Sequence, residues 1–503
     1  MNLGGSKICV PVCVGASDLR EAAARAINLS DMVELRLDYL DHAGRDIVLR
    51  ELEALSGRGR TVILTLRPAE QGGKSDLSRE ERLSFWSSVA DIPEVLFDIE
   101  HDLLPDLSGI APDQIICSHH DFEGDADPHS LYERMKTASA GILKIAIQIK
   151  DAVDCLAIFK LLERAQRDGR TLIAIAMGSA GVMTRILGPS RGSFLTYGSL
   201  DHEMRTAPGQ LSAHALREVY RLDQIDLQTE IMGLIGKPVS HSISPYVHNA
   251  AFAKAARNAV FIPFEVDDVD EFMRRMVHPR SREINWNARG FSVTAPHKAA
   301  VIKHLDGLDP AAKEIGAVNT IVIKNGALRG YNTDALAFFE SLKAKAGQLK
   351  DVRCAVIGAG GAARAVVWAL NRGGASICLF ARDGIKAKPL AHQFHCETRA
   401  FAHADFKDFD VLINATPLGT RGELETETPV KAEQLRGVRL AYDLVYNPLE
   451  TRFLREARIA GCETLGGLDM LVGQAIEQFK LWTDQQPDGG IMRDAAERAL
   501  GMK

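Results

Sequence analysis

The 503-residue chain lacks the excess of positive charge that marks a nucleic-acid binder, with 60 Lys and Arg against 66 Asp and Glu and a net charge of -6. It has no run of five like charges, which excludes a charged interaction tail. It also lacks a stretch of about 18 apolar residues, so no membrane span is predicted. None of the eight cysteines forms a Cys-x-x-Cys pair, and no zinc-type ligand spacing occurs, so no metal is expected. Several of these cysteines lie in apolar runs and read as buried free thiols of a reducing compartment, which points to the cytoplasm. The opening segment, residues 1–18, has no basic leader followed by a small-residue cleavage site and reads as a first strand. No solenoid repeat or low-complexity tract is evident.

What is present is a regular alternation. Short β-rich runs are predicted at Ile8–Val14, Met32–Tyr39, Val62–Arg67, Val95–Glu100, Gln114–His119, Ile142–Ile149, Leu172–Met177 and Ser193–Tyr197. Helix-like stretches such as Ser17–Asn28 and Ala152–Arg167 separate most of them. Eight strands alternating with helices over some 220 residues point to a (β/α)₈ TIM barrel, with an open doubly wound sheet as the alternative. A boundary is expected near residue 225, where a helical run, Leu211–Arg221, gives way to polar residues and a new strand at Ile231–Ile235. The expected division is 1–222 for the barrel, 230–335 completed by 470–503 for a second α/β lobe, and 336–469 for a dinucleotide-binding lobe.

Strands of such a barrel are covered on both faces and should be nearly all apolar. Glu34, Arg36 and Asp38 break that rule on one face, because side chains alternate along a strand. Charges facing the interior are costly unless paired or functional. Lys144 is likewise the lone charge of its predicted strand. It is either an amine whose burial disfavours the ammonium form and frees it to attack a ketone, or a snorkelling edge lysine. His119 and His120 close the preceding strand, at the end where barrels do chemistry; the residues alone leave open which one acts.

Taken in order, Glu34-Leu-Arg36-Leu-Asp38, Thr65-Leu-Arg67 with Gly72-Gly73, Ser118-His-His120-Asp-Phe122, Lys144-Ile-Ala, Met177-Gly with Thr184-Arg185, and Ala207-Pro-Gly-Gln210 span the first half. With these motifs residues 7–221 resemble type I 3-dehydroquinate dehydratase. The resemblance implies that Lys144 forms an imine with a substrate ketone and that His120 removes the adjacent proton and helps water leave. It implies that Glu34, Arg36, Arg67, Arg185, Thr206 and Gln210 hold the substrate's carboxylate and hydroxyls. Gln71 stands where the family usually has Glu before Gly-Gly. It can hydrogen-bond an imidazole but cannot stabilise an imidazolium by charge. Thr206 replaces the usual Ser.

In the second half, Arg353–Ile357 followed by Gly358-Ala359-Gly360-Gly361-Ala362-Ala363 reads as strand, glycine turn and helix start. Such a turn brings backbone N–H groups and a helix dipole against a pyrophosphate. The next strand, Ala375–Phe380, ends in Arg382 with Lys386 four residues on, where an NAD site would usually place an acid; cations there suit a 2′-phosphate. The motifs Gly236–Asn249, Gly290–Lys298, Gly316–Thr320, Gly330–Asp334, Asn414–Gly419, Asp443–Tyr446 and Gly467–Gln474 then resemble shikimate dehydrogenase over residues 231–503. This implies Lys298 and Asp334 as the catalytic pair and Ser242, Ser244, Thr294, Asn319, Tyr446 and Gln474 as substrate ligands. It implies NADP as cofactor, held by Gly358, Ala359, Gly360, Gly361, Ala362, Arg382, Lys386, Leu444 and Gly467.

Together the two resemblances imply a bifunctional enzyme of the shikimate pathway. The partners expected are small-molecule substrates, with no nucleic acid and no membrane, in a monomer or homodimer. Two other readings remain at this stage: a quinate dehydrogenase with a degenerate dehydratase, and a barrel that serves only as scaffold.

Overall fold

The computed structural model describes residues 6–56, 61–201, 207, 209–382, 384–401 and 404–501, without the side chains of 53–56, 384 and 386. Two compact units emerge. One comprises Met1–Thr229 with Pro263–Met276 and Glu283–Asn287, and the other Glu230–Ile262, Val277–Arg282 and Ala288–Lys503.

In the first unit, eight parallel strands follow one another around a nearly closed barrel: β1 (Ile8–Val12), β2 (Met32–Arg36), β3 (Val62–Thr65), β4 (Val95–Glu100), β5 (Ile115–Asp121), β6 (Ile142–Gln148), β7 (Thr171–Met177) and β8 (Thr196–Tyr197). β8 pairs with β1, and a bridge between Leu172 and Ser193 ties β7 toward β8. Every expected strand is found. The second is shorter than expected, because Leu37–Tyr39 turns into a 3₁₀ helix. That turn brings Asp38 back against Arg36 in place of extending the strand. Helices cover the outside: Cys155–Arg167, for example, buries Leu156, Phe159, Leu162 and neighbours at helical spacing. The predicted helix over Leu211–Arg221 is a π-helical turn, Ala215–Val219.

Largely within the second unit, six strands form a mixed sheet: β9 (Glu230–Gly236), β10 (Ala259–Glu265), β11 (Asn287–Val293), β12 (Gly307–Leu308), β13 (Thr320–Lys324) and β14 (Ala327–Tyr331), in the order β10-β9-β11-β13-β14-β12. The final helices, Leu468–Thr483 and Gly489–Ala499, share its core through Val472, Phe479, Trp482, Met492 and Ala496. A second six-stranded sheet contains β15 (Arg353–Ile357), β16 (Ser376–Ala381), β17 (Glu397–Ala400), β18 (Val411–Asn414), β19 (Leu440–Asp443) and β20 (Glu463–Leu465). Its order, β17-β16-β15-β18-β19-β20, reverses at β15, and every pairing is parallel. This is the Rossmann arrangement, with its ligand crevice at the strand ends beside the reversal. No described helix is long and apolar enough to cross a membrane.

Candidate functional site

In a barrel, alternate strands contribute one interior layer, usually of branched apolar side chains. Here the even strands contribute Glu34 from β2, Asp98 from β4, Lys144 from β6 and Tyr197 from β8. Lys144 Nζ lies 2.7 Å from Asp98 Oδ2, 2.9 Å from the Tyr197 hydroxyl and 3.6 Å from Glu34 Oε1. With its residue 4% exposed, the amine is buried, yet it is not the lone charge in an apolar setting that its strand suggested. Asp98 also accepts from Arg67 at 2.7 Å, and Arg67 donates to Ser118 at 2.8 Å and meets Glu100 at 3.3 Å. Burial works against the Asp98 carboxylate, but Arg67 and Lys144 outweigh it and hold the group well below the usual range. Arg36 and Asp38 form a two-point pair at 2.8 and 2.7 Å, and Thr65 donates to Glu34 at 2.7 Å.

One pocket collects Glu34, Arg36, Arg67, His120, Lys144, Arg185 and Gln210 from six stretches of chain. Gln71, Phe122 and Tyr197 are among its other lining residues. His120, not His119, lines this pocket, as strand alternation requires for neighbours on β5. Burial first, then Arg67 and Lys144, push the His120 imidazole well below its ordinary value, so the ring is neutral at pH 7. Its Nδ1 has no hydrogen-bond partner among the described residues. Gln71 does not reach the ring: its Oε1 accepts the main-chain N–H of His120 at 3.1 Å. Arg185 is 2% exposed and has no carboxylate partner among the described residues. Burial alone lowers it to about 10. Gly209 (φ +70°) brings the Gln210 loop in, since a Cβ there would sit 2.0 Å from Gly178 O. Thr206 lies outside the described residues. A separate cavity of about 340 Å³, beside Leu104, Ile110 and Arg134, contains none of these groups.

Asp98 and Glu100 were missed in the sequence. Burial pushes Glu100 up to about 7, opposed by Arg67 and assisted by Asp98. Between the ordinary 4.5 and 7 the folded protein keeps a proton that the unfolded chain has released. The group therefore favours the fold at low pH, and that contribution is lost as pH rises through 7. Glu100→Gln, which cannot ionise, should gain stability on the parent between about pH 5 and pH 8, by up to about 3 kcal/mol. Urea melts across this range check it; parallel curves would refute the assignment.

In the second unit, Lys298 Nζ meets Asp334 Oδ2 at 2.6 Å, and Asn319 Nδ2 donates to Asp334 Oδ1 at 2.8 Å. Thr294 follows β11, and its N–H donates to Ile235 O at the end of β9; Ser242 lies on the loop that leaves that adjacent strand and Ser244 begins the helix Ser244–Lys254. Ser242 Oγ accepts the Ser244 N–H at 3.2 Å and is hydrogen-bonded to the Tyr446 hydroxyl. Gln474 turns to its own helix, donating to Leu471 O at 2.9 Å.

The glycine turn stands where a dinucleotide would sit. Gly360 is the N-cap of helix Gly361–Arg372 and offers no side-chain cap, which leaves the first N–H groups for an anion. Gly361 packs on Lys298: a Cβ there would lie 3.0 Å from Lys298 Cδ. Gly358 and Ala359 belong to the same turn, Ala362 lies in the first turn of the helix, and exposed Arg382 directly follows β16; the Lys386 side chain is not described. The Leu444 N–H donates to Asn414 O, and the Gly467 N–H to Val445 O. Under this loop, buried Asp443 accepts from Asn414, Thr451 and the Val445 N–H, and burial lifts it to about 6. Among the described residues no group of three or more His, Cys, Asp or Glu could hold a metal ion.

A buried lysine inside a parallel barrel, together with a lysine–aspartate pair against a dinucleotide turn, defines an enzyme with two active sites, a lyase and an oxidoreductase. The description Type I 3-dehydroquinase matches residues 8–227, Shikimate dehydrogenase substrate binding domain residues 234–321, and Shikimate 5'-dehydrogenase C-terminal domain residues 467–497. A chloroplastic bifunctional 3-dehydroquinate dehydratase/shikimate dehydrogenase of Arabidopsis thaliana is 32% identical over 95% of this chain and 82% of its own length. The shikimate dehydrogenase (NADP(+)) of Methanocaldococcus jannaschii is 39% identical over 54% of this chain and 97% of its own. A solved shikimate dehydrogenase in complex with NADP+ matches 55% of this chain and 97% of its own, with a TM-score of 0.50 and 37% identity. The chain belongs to the family of bifunctional 3-dehydroquinate dehydratase/shikimate dehydrogenases.

Proposed function

We propose that the chain performs two consecutive reactions, dehydration of 3-dehydroquinate to 3-dehydroshikimate in residues 1–222 and NADPH-dependent reduction to shikimate in the remainder. The second activity is divided between a substrate lobe, 230–335 completed by 470–503, and a cofactor lobe, 336–469. The observation that carries the reading is the barrel pocket: a buried amine, a neutral imidazole and an unpaired guanidinium converge on one space.

In the dehydratase, the Lys144 amine adds to the substrate ketone and expels water, giving an imine. Once protonated, that imine draws electrons from the neighbouring C–H. Neutral His120 takes the proton, and the electron pair passes toward the imine nitrogen. As the electrons return, the β-hydroxyl leaves with a proton from His120, and hydrolysis of the imine restores Lys144. The net change is loss of one water. Arg185 binds the carboxylate through a planar fork, while Glu34, Arg36, Arg67, Thr206 and Gln210 hold hydroxyls and order the cations. Arg185→Met should raise KM for dehydroquinate by about 30-fold or more, the ~2 kcal/mol and upward lost when one partner of a buried charge pair is removed. Steady-state kinetics decide it, and an unchanged KM would exclude Arg185 from the carboxylate site.

In the dehydrogenase, NADPH supplies the hydride when bound. The turn Gly358–Ala362 would hold its pyrophosphate, Arg382 and Lys386 would hold its 2′-phosphate, and Leu444 and Gly467 would take the nicotinamide end. Lys298 donates a proton to the carbonyl oxygen, and Asp334 holds the ammonium in line. Ser242, Ser244, Thr294, Asn319, Tyr446 and Gln474 offer the hydroxyl and amide groups that a polyhydroxylated acid needs. We place the enzyme in the cytoplasm, as a monomer or homodimer; eight free cysteines fit a reducing compartment.

Mixing the purified chain with dehydroquinate and NADPH tests both activities together. Cofactor oxidation is expected. Oxidation with dehydroshikimate alone would make the barrel a scaffold, and a preference for quinate with NAD would favour a quinate dehydrogenase.

A further inference from the structure

A fully buried histidine, His248, sits in the second unit, stacked on Phe261 with ring centroids 4.4 Å apart. Burial drives it down to about 3, so the ring is neutral. Its Nδ1 has no partner among the described residues, and its Nε2 lies 3.2 Å from Gln478 Oε1. An amide oxygen only accepts, so Nε2 holds the ring proton. Ser292 Oγ donates to the same oxygen at 2.9 Å. The Asn319 main-chain carbonyl, which can only accept, sets the orientation of the Gln478 amide. Its Nε2 then donates to Thr320 Oγ1 at 3.1 Å and toward Asn319 O at 3.4 Å.

The direction propagates. Thr320, having accepted, donates to Asn319 Oδ1 at 2.8 Å, and the Thr333 N–H donates to the same oxygen at 2.8 Å. Asn319 Nδ2 must therefore face Asp334 Oδ1 at 2.8 Å, which leaves Oδ2 for Lys298. Each bond polarises the next; turning the Gln478 amide over would set its Oε1 against the Asn319 carbonyl, and turning the Asn319 amide over would set its Nδ2 against the Thr333 N–H.

We propose that Gln478 is a positioning residue for the reduction: through Thr320 it reinforces the orientation of the Asn319 amide, which the Thr333 N–H also sets, and so steadies the Asp334 carboxylate that presents Lys298 to the carbonyl oxygen. This rests on the assignment of Lys298 and Asp334 as the catalytic pair. Gln478→Met removes the relay. Gln478→Glu keeps the shape but accepts the Thr320 hydroxyl, taking it from Asn319. Thr320→Val breaks the next link, and Thr320→Ser keeps it.

The experiment uses the full chain, reading dehydroshikimate reduction by NADPH oxidation, thermal melting, and dehydratase activity as an internal measure of intact enzyme. We expect kcat to fall by about 10-fold or more in Gln478→Met, Gln478→Glu and Thr320→Val, the effect of a small misplacement of reacting groups. Because Asn319 is also a substrate ligand in this reading, KM for dehydroshikimate should rise as well, by less than kcat falls, and Thr320→Ser should keep most of the parental kcat. Thr320→Val decides the matter if the Gln478 variants do not fold. Folded Gln478→Met and Thr320→Val with parental kcat, or equal losses in Thr320→Ser and Thr320→Val, would overturn the positioning role while leaving the catalytic pair intact. A Lys298→Ala variant at parental kcat would overturn the pair and this role with it.

Discussion

Lys144→Ala should lower the dehydration rate by ~10⁴-fold or more, the scale on which removing a covalent nucleophile acts. Reduction of dehydroshikimate by the same preparation should be untouched. The size of the effect follows from what the side chain supplies. No neighbouring group can form an imine: Asp98 and Glu34 are carboxylates, Tyr197 is a phenol, and Arg67 is a guanidinium. Lys144→Arg sharpens the prediction, because it keeps a cation beside Asp98 and cannot form the imine. Equal losses in the two variants would assign the effect to the covalent step. A near-parental Lys144→Arg would mean that the cation, not the nucleophile, is what the pocket requires. Leaving Asp98 buried without its lysine also destabilises the fold, so melting curves must accompany the rates.

The second large effect belongs to Lys298. Lys298→Ala should cut NADPH-dependent reduction by ~10²–10⁴-fold, the range of a single general acid. Dehydration should continue at the parental rate. Asp334→Asn keeps the side chain's shape and removes the charge 2.6 Å from Nζ, so it should lower kcat with KM less affected. Separate assays of the two half-reactions give the answer. Parental reduction by Lys298→Ala would send the proton donor elsewhere. Loss of dehydration in the same variant would mean that the two sites are coupled.

Much of this was legible because chemistry violates the rules of burial. Glu34, Arg36 and Lys144 stand out as charges in strands that should be apolar, and the pocket unites them. Asp98 and Glu100 obey the same logic, two residues apart on one face of Val95–Glu100. Applying the alternation rule to every barrel strand would have found them. The pairing of Lys144 could not be read, since it depends on which strands lie across the barrel. Nor could the target of Gln71: a glutamine expected at the imidazole holds the backbone instead, because Oε1 meets an N–H on β5 first. In the dehydrogenase, the expectation settled on Gln474, whereas the fully buried glutamine one turn later, Gln478, makes the cross-element bonds. On a helix both positions share a face, and only the facing sheet distinguishes them.

The most direct test of the account is the mass of the protein after incubation with dehydroquinate and borohydride, which reduces an imine to a stable amine. A single adduct of the substrate or its dehydrated product, mapped to the peptide containing Lys144, is the predicted result. Full dehydratase turnover with no adduct on that peptide would contradict it.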